Sequence, residues 1–334
     1  MLIPFLAVLA AGALGAAAFV GHAWYQEHRP DRIPVLLYHR FLSRAAYDRG
    51  EVVTEERTYV AFDDDFAAEM QYLRDAGFTA IDLDEFADIL DRKRPFPKKP
   101  IVITIDDGFR SVYRFAYPTL KRLGMNAVFF VTPDKTSHNF REFADTDEPA
   151  TDDEIATMSR NGVSIQSHGQ THRHLTDLDD ATVLWELVES KRVLAERFGN
   201  PIDHLAIPSG AYSRRIRRIV GTTGYRVVFA SRKGTNHAGV DRLQMRRLVV
   251  GRGFGRGGMA HLLEPGTCFQ LRLASALQNL VQTFISARGL DRLRAVILSL
   301  PFGAALIRHP IRLVIAGAGA VMLVTALAAA WLLR

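Results

Sequence analysis

From residue 33 onward the chain alternates short apolar runs with segments whose apolar residues recur every three or four positions. Ile33–Tyr38 reads as a strand. Over 65–76, Phe66, Met70 and Leu73 share one helical face, and Gly77 ends the helix. The same reading places strands at 78–81, 101–105, 127–131, 163–166, 205–207 and 225–230, with helices at 84–90, 111–123, 152–160, 179–198 and 214–223. A three-proline connector spans 93–100 and a polar loop spans 133–151. Strands alternating with helices pair in parallel. Roughly seven strands in about 200 residues predict an α/β fold, a distorted, incomplete (β/α)7 barrel. After Arg247 the pattern changes: Gly251–Gly258 reads as a glycine- and arginine-rich loop, and 269–300 as an amphipathic helix carrying Leu273, Leu277, Leu280, Val281 and Phe284 on its apolar face.

The two ends read differently. Neither 1–21 nor 313–333 contains a charged side chain, and a membrane-crossing helix needs roughly 20 apolar residues. The expected organisation is an N-terminal anchor or transmembrane helix at 1–23, a catalytic domain at 33–250, a loop with membrane-proximal helices at 251–310, and a C-terminal transmembrane helix at 311–333. A cleaved signal peptide is the other reading of the first stretch, against which stands its lack of a basic leading region. Two spans place the middle of the chain on one side of a bacterial cell membrane. Arg29 and Arg32 follow the first span, and Arg288, Arg292, Arg294, Arg308 and Arg312 precede the second, which favours a cytoplasmic middle domain.

The formal charge of +6 admits a nucleic-acid partner. The arginines, however, gather beside the apolar ends, at 214–218 and at Arg246-Arg247, a distribution that an anionic lipid surface explains as well. No nucleic-acid partner is expected. The single cysteine, Cys268, excludes an internal disulfide framework.

The candidate chemistry lies where strands end. Asp106-Asp107-Gly108 directly follows the apolar run 101–105. Adjacent carboxylates repel, and burying both as anions is unfavourable without a cation or a shared proton. His168 and His172 follow the run 163–166. Two histidines and one carboxylate form a three-ligand set with an open fourth position, the layout of a catalytic zinc site. His39 follows the first strand, and Pro208-Ser209-Gly210 follows 205–207. In a (β/α) barrel these positions share one rim, the C-terminal ends of the strands. Taken singly, an aspartate pair is commonly a turn and a histidine a core residue; four candidates on one rim argue for a site.

Those residues resemble the motifs of the polysaccharide deacetylases with a NodB homology domain (carbohydrate esterase family 4). Thr104-Ile105-Asp106-Asp107-Gly108 is similar to that family's Thr-Phe-Asp-Asp-Gly motif, and Ser167–His172 to its His-Ser/Thr-x-x-His motif. Ile207–Tyr212 resembles its Pro-Tyr-Gly motif with serine in the tyrosine position. Val35–Phe41 is similar to the start of the subgroup that deacetylates poly-N-acetylglucosamine. The resemblance covers about 33–250. It implies that Asp107, His168 and His172 hold a divalent metal, most often zinc, and that Asp106 is the general base acting on the water that attacks an N-acetyl carbonyl. It further implies that the Ser209 backbone N–H steadies the oxyanion, with Pro208, Gly210 and Tyr212 lining the substrate position. Tyr212 is a candidate for stacking on a sugar ring.

Three departures qualify the match. The arginine expected ahead of the Pro-Tyr-Gly motif to steady the base is replaced by His204-Leu205-Ala206. The aspartate-tryptophan motif is not evident, and the late Leu-x-His motif that supplies the general acid is missing. His39 and His237 are the candidates for that acid, His39 also for a hydrogen bond that orients a ligand, and His174 rivals His172 as a ligand. The expected substrate is an N-acetylated glycan or a lipid-linked amino sugar, with membrane lipids as further partners. An extracytoplasmic domain follows from the family, a cytoplasmic one from the charge pattern. A catalytically inactive glycan-binding protein is the competing class, against which stands the retained Asp106.

Overall fold

The computed structural model describes residues 2–51 and 58–284, of which Arg29–Glu264 form one compact unit. The chain runs α1 (Leu2–Glu27), β1 (Val35–Tyr38), β2 (Arg40–Leu42), α2 (Arg44–Asp48), β3 (Val60–Phe62), α3 (Asp63–Asp75), β4 (Thr79–Ala80), α4 (Leu83–Leu90) and β5 (Pro100–Ile105). It continues through α5 (Tyr117–Leu123), β6 (Ala127–Val131), α6 (His138–Glu142), α7 (Asp152–Ser159), β7 (Val163–Ser167), α8 (Asp180–Phe198), β8 (His204–Ala206), α9 (Arg214–Val220), β9 (Val227–Lys233), β10 (Met245–Val249), α10 (Gly255–Leu262) and α11 (Pro265–Phe284). α1 and α11 belong to a second unit.

All strand pairings of the main sheet are parallel, as βαβ connections require. β1 pairs with β10 on one side and with β5 on the other, so β1, β5, β6, β7, β8, β9 and β10 close a seven-stranded ring. The short β4 adds to the start of β5, and β2 pairs with β3 in a separate ribbon. The seventh ring strand is β10, a stretch inside the expected domain to which the sequence pattern assigned no strand. Its alternation is masked by Arg246 and Arg247, and a 3-10 turn at Arg242–Gln244, with no α-helix, separates it from β9.

Side chains alternate across each strand, so Val102, Thr104 and Asp106 point the same way, as do Met245 and Arg247. Val35, Val102, Val128, Phe130, Ala206, Val227, Phe229 and Met245 form one buried cluster with Leu83, Phe86 and Leu90 of α4. α4 thus plugs the end of the ring from which the strands start. Asp82 caps that helix by accepting the Glu85 N–H. Above this apolar floor the interior turns polar at Thr104, Arg247 and Asp106, all buried.

Three local expectations are corrected. The helix expected over 111–123 begins as a π-turn at Val112–Ala116 before becoming α5. The loop expected at Gly251–Gly258 gives way to α10 from Gly255. The polar loop 133–151 contains α6. Of the expected membrane spans, the first falls within α1 and the second, 311–333, lies outside the described residues. Among the described residues no helix is long and apolar enough to cross a membrane.

Candidate metal centre

β5 and β7 deliver the central residues. The Asp106 N–H donates to the Tyr38 carbonyl at 2.9 Å, continuing the β1–β5 ladder past its last pair, so His39 and Asp106 stand side by side on the rim. Asp107 then turns through φ +81°, and its carbonyl accepts the Thr132 N–H at 3.2 Å. On β7, the His168 N–H donates to the Val131 carbonyl at 3.0 Å. These backbone bonds bring the ends of β1, β5, β6 and β7 to one level.

There the side chains of Asp107, His168 and His172 converge, each offering a ligand atom within 4.8 Å of the others. Asp107 Oδ1 lies 3.4 Å from His168 Nε2 and 3.1 Å from His172 Nε2. His168 Nδ1 is 2.8 Å from the Ala206 carbonyl. A carbonyl only accepts, so Nδ1 carries a proton, and Nε2 is the nitrogen turned toward Asp107 that the neutral ring would offer to an ion. Two imidazole nitrogens and one carboxylate oxygen around an open side suit a divalent ion of the zinc type. Burial pushes the Asp107 carboxyl up, but His168 and His172 outweigh it and hold it well below its ordinary range. His168 is driven down by burial and up more strongly by Asp106 and Asp107. His174 lies outside the cluster: it is exposed, and its Nδ1 meets the Ser209 hydroxyl at 3.2 Å.

Asp106 has a different neighbour. Its Oδ1 accepts a hydrogen bond from the Arg247 guanidinium at 2.7 Å, with the two side chains 2% and 5% exposed. Burial raises the Asp106 carboxyl, yet Arg247, His168 and His39 together lower it below its ordinary value. Arg247 rises from β10 through the barrel interior beside the Phe229 ring, 5.3 Å from its centroid. An arginine against Asp106, expected ahead of Pro208, is thus contributed by another strand. No motif flagged it, because its place depends on β10 lying next to β1, and β1 next to β5, in the ring.

The remaining candidates divide. His39 is half-buried, packs edge-on against Tyr59, and has no partner for its buried Nδ1. Desolvation lowers its pKa, opposed by the fields of Asp107 and Asp106. His237 lies in the β9–β10 connection next to Asn236, which pairs with Ile33 ahead of β1. It therefore sits at the opposite end of the barrel from the rim, near Asp31. Pro208, Ser209 and Gly210 form a tight turn in which Ser209 adopts φ +55°. Gly210, at φ +66°, is required there: a Cβ would stand 2.7 Å from the Ser231 nitrogen. Tyr212 is half-buried and its hydroxyl is enclosed without a hydrogen-bond partner. Asp107, His172 and Ser209 are all non-glycine residues in the left-handed region, a conformation of roughly 1–3 kcal/mol each that persists where surrounding contacts over-determine it.

Comparison with known proteins agrees with this geometry. Residues 93–228 match the family model described as polysaccharide deacetylase. Over that segment the barrel resembles the polysaccharide deacetylases, hydrolases of amide bonds. The protein is 24% identical over 242 residues to a putative polysaccharide deacetylase, YxkH, of Bacillus subtilis, covering 72% of this chain and 80% of that one. It is also 24% identical over 169 residues to the poly-beta-1,6-N-acetyl-D-glucosamine N-deacetylase of Staphylococcus aureus, a match spanning 47% of this chain and 56% of the relative. Among solved structures, the Streptococcus pyogenes deacetylase PplD in complex with acetate superposes with a TM-score of 0.61 at 22% identity, over 71% of this chain and all of that one. That likeness shows the shared fold. The matched segment 93–228 excludes both His39 and Arg247, so the family model alone does not reach the whole site.

Proposed function

We propose that this protein is a metal-dependent deacetylase that removes N-acetyl groups from the amino sugars of a glycan. The observation that carries the reading is the pairing of two carboxylates in different roles: Asp107 with His168 and His172, Asp106 with Arg247. Asp107, His168 and His172 would hold the ion, which when bound supplies Lewis acidity to the acyl oxygen and to water. Asp106 Oδ1 is occupied by Arg247, which leaves Oδ2, the oxygen facing His168 at 3.9 Å, to receive the proton of the attacking water. Arg247 keeps that carboxylate ionised and fixes its rotamer. The Ser209 backbone N–H would steady the developing oxyanion. The proton that Asp106 takes from water returns to the departing amine nitrogen as the C–N bond breaks, and His39, beside Asp106 on the rim, is the group that would relay it. Pro208, Gly210 and Tyr212 form the wall on which the sugar is oriented.

The S. aureus relative's name points to an N-acetylglucosamine polymer as the first substrate to try. The charge-free stretches 1–21 and 313–333 with their flanking arginines support attachment to a cell membrane, and with it a lipid-linked amino sugar as the second substrate. An inactive glycan-binding protein accounts less well for Asp106, since binding alone needs no ionised base beside the ligand triad. The experiment is acetate release from N-acetylglucosamine oligomers by the full chain, with chelator and with zinc restored. Release that chelator stops and zinc returns supports the reading; release that survives chelation refutes metal dependence. Zinc-loaded protein that releases nothing from oligomers or from a lipid-linked amino sugar refutes the deacetylase.

A further inference from the structure

His168 and His172 are held in different ways. The His168 ring is fixed by its own second nitrogen on the Ala206 carbonyl. For His172 the described hydrogen-bond and ionic contacts are those to Asp107, its fellow ligand. Its position is therefore set through the backbone, and that backbone is unusual. His172 has φ +60°, and Gly169, three residues before it, has φ +74°.

What stabilises this loop is Glu186 of α8. Its side chain is fully buried, on the helix face that packs with Val183, Leu187 and Ser190 against the barrel. Glu186 Oε2 accepts the backbone N–H groups of Gln170 and Thr171, each at 2.9 Å. Oε1 accepts the Thr171 hydroxyl and, at 3.3 Å, the Arg173 Nε–H. Four donors from three residues flanking His172 thus converge on one carboxylate. The loop has little room to move otherwise: a Cβ on Gly169 would lie 3.1 Å from Pro208 Cγ and 3.6 Å from Glu186 Oε2.

We infer that Glu186 is a positioning residue for the metal centre. By clamping residues 170–173 it presets the His172 imidazole toward His168 and Asp107, doing through the backbone what the Ala206 carbonyl does directly for His168. It contributes no ligand atom. This inference rests on the metal reading of the triad. Partners of this kind typically govern metal affinity by 10–100-fold. A glutamine replaces the carboxylate only in part: with its oxygen on the two backbone N–H groups, its amide nitrogen can donate to the Thr171 hydroxyl but is set against the Arg173 Nε–H donor, and the negative charge is gone.

The test is calorimetric titration of the metal-free full chain with zinc, with thermal unfolding recorded alongside. Glu186→Gln should bind zinc roughly 10–100-fold more weakly than wild type. Its cobalt derivative should show an altered visible spectrum, since one imidazole is misplaced. Thr171→Val, which removes one of the four donors, should move in the same direction by a smaller factor. Glu189→Gln, whose carboxylate pairs with Arg192 on the outside of α8, should leave both readouts unchanged. A folded Glu186→Gln protein with wild-type zinc affinity and cobalt spectrum overturns the inference. If that variant does not fold, wild-type affinity in both Thr171→Val and Arg173→Ala overturns it. Failure of the wild-type chain to bind zinc would instead overturn the metal reading on which it rests.

Discussion

Replacing Arg247 with methionine removes the buried guanidinium and keeps an unbranched chain beside Phe229. The guanidinium–carboxylate contact is 2.7 Å, with both groups almost completely out of water. At a separation of about 4 Å between charge centres and an effective dielectric of about 20, the lost attraction is about 4 kcal/mol. Removing one partner of a buried pair independently gives about 3–5 kcal/mol of destabilisation. A protein of this size loses roughly 2–4 °C of melting temperature per kcal/mol, so a fall of about 10 °C is expected. The pH dependence is more diagnostic than the size. In the wild type Asp106 is held below its unfolded value, mainly by Arg247 once burial is overcome. Its contribution is present above the unfolded carboxyl range and is lost as pH falls through the lower, folded value. Without Arg247 burial acts with less opposition and the carboxyl rises, so the variant should lose stability as pH increases. The gap between the two proteins should be wide at pH 8 and narrow in mild acid. The assay is thermal unfolding of both metal-free proteins across pH, with the acid limb of kcat/KM moving to higher pH in the variant. Equal melting temperatures, or a gap independent of pH, would refute the assignment of Arg247 as the partner that keeps Asp106 ionised.

Asp106→Asn should retain zinc binding while kcat falls by about 10²–10⁴, the usual contribution of a general base; a variant with near-normal turnover would move the base elsewhere. Glu69, buried under Tyr38 and the Gly255 N–H, has its pKa raised by burial to about 8. Its stabilising effect is complete below the ordinary glutamate pKa and is lost as pH rises through about 8. Glu69→Gln should therefore flatten the stability profile between mildly acid and mildly alkaline pH, measured by chemical denaturation. Gly210→Ala adds a methyl group at φ +66° against Ser231. It should lower stability by about 1–3 kcal/mol and depress kcat through Ser209, whereas Gly77→Ala, equally left-handed but in open space, should cost stability alone.

Much of the site was legible because each ligand-bearing residue follows an apolar run. Ile101–Ile105 and Val163–Ile165 announce buried strands, and a carboxylate or imidazole immediately after a barrel strand has one place to go. Arg247 could not be read this way. It lies inside a strand whose polar residues disguise it, and its partner is set by a ring order in which β10 precedes β1 and β1 precedes β5. Glu186 was hidden for a related reason. On a helix carrying Glu189 and Glu196 as well, nothing local distinguishes the buried carboxylate from the exposed ones; only the loop folded over it does. His237 had the residue type for an acid and the wrong end of the barrel, a distinction that the Ile33–Asn236 bridge makes and spacing does not.

The ring has a seam, and the seam falls between the first strand and the last. Leu36 pairs with Leu248, and Asp106 meets a guanidinium 141 residues further along. During synthesis Asp107, His168 and His172 emerge well before β10. A chain halted before Met245 would expose the unpaired edges of β1 and β9, hazards for association with other chains. It would carry Asp106 without its guanidinium partner. Contacts this distant in sequence are expected to form late in folding. On the proposed reading such a fragment has the ion-binding triad without the charge that holds Asp106 ionised, so onset of hydrolysis would mark the moment at which the final strand has docked.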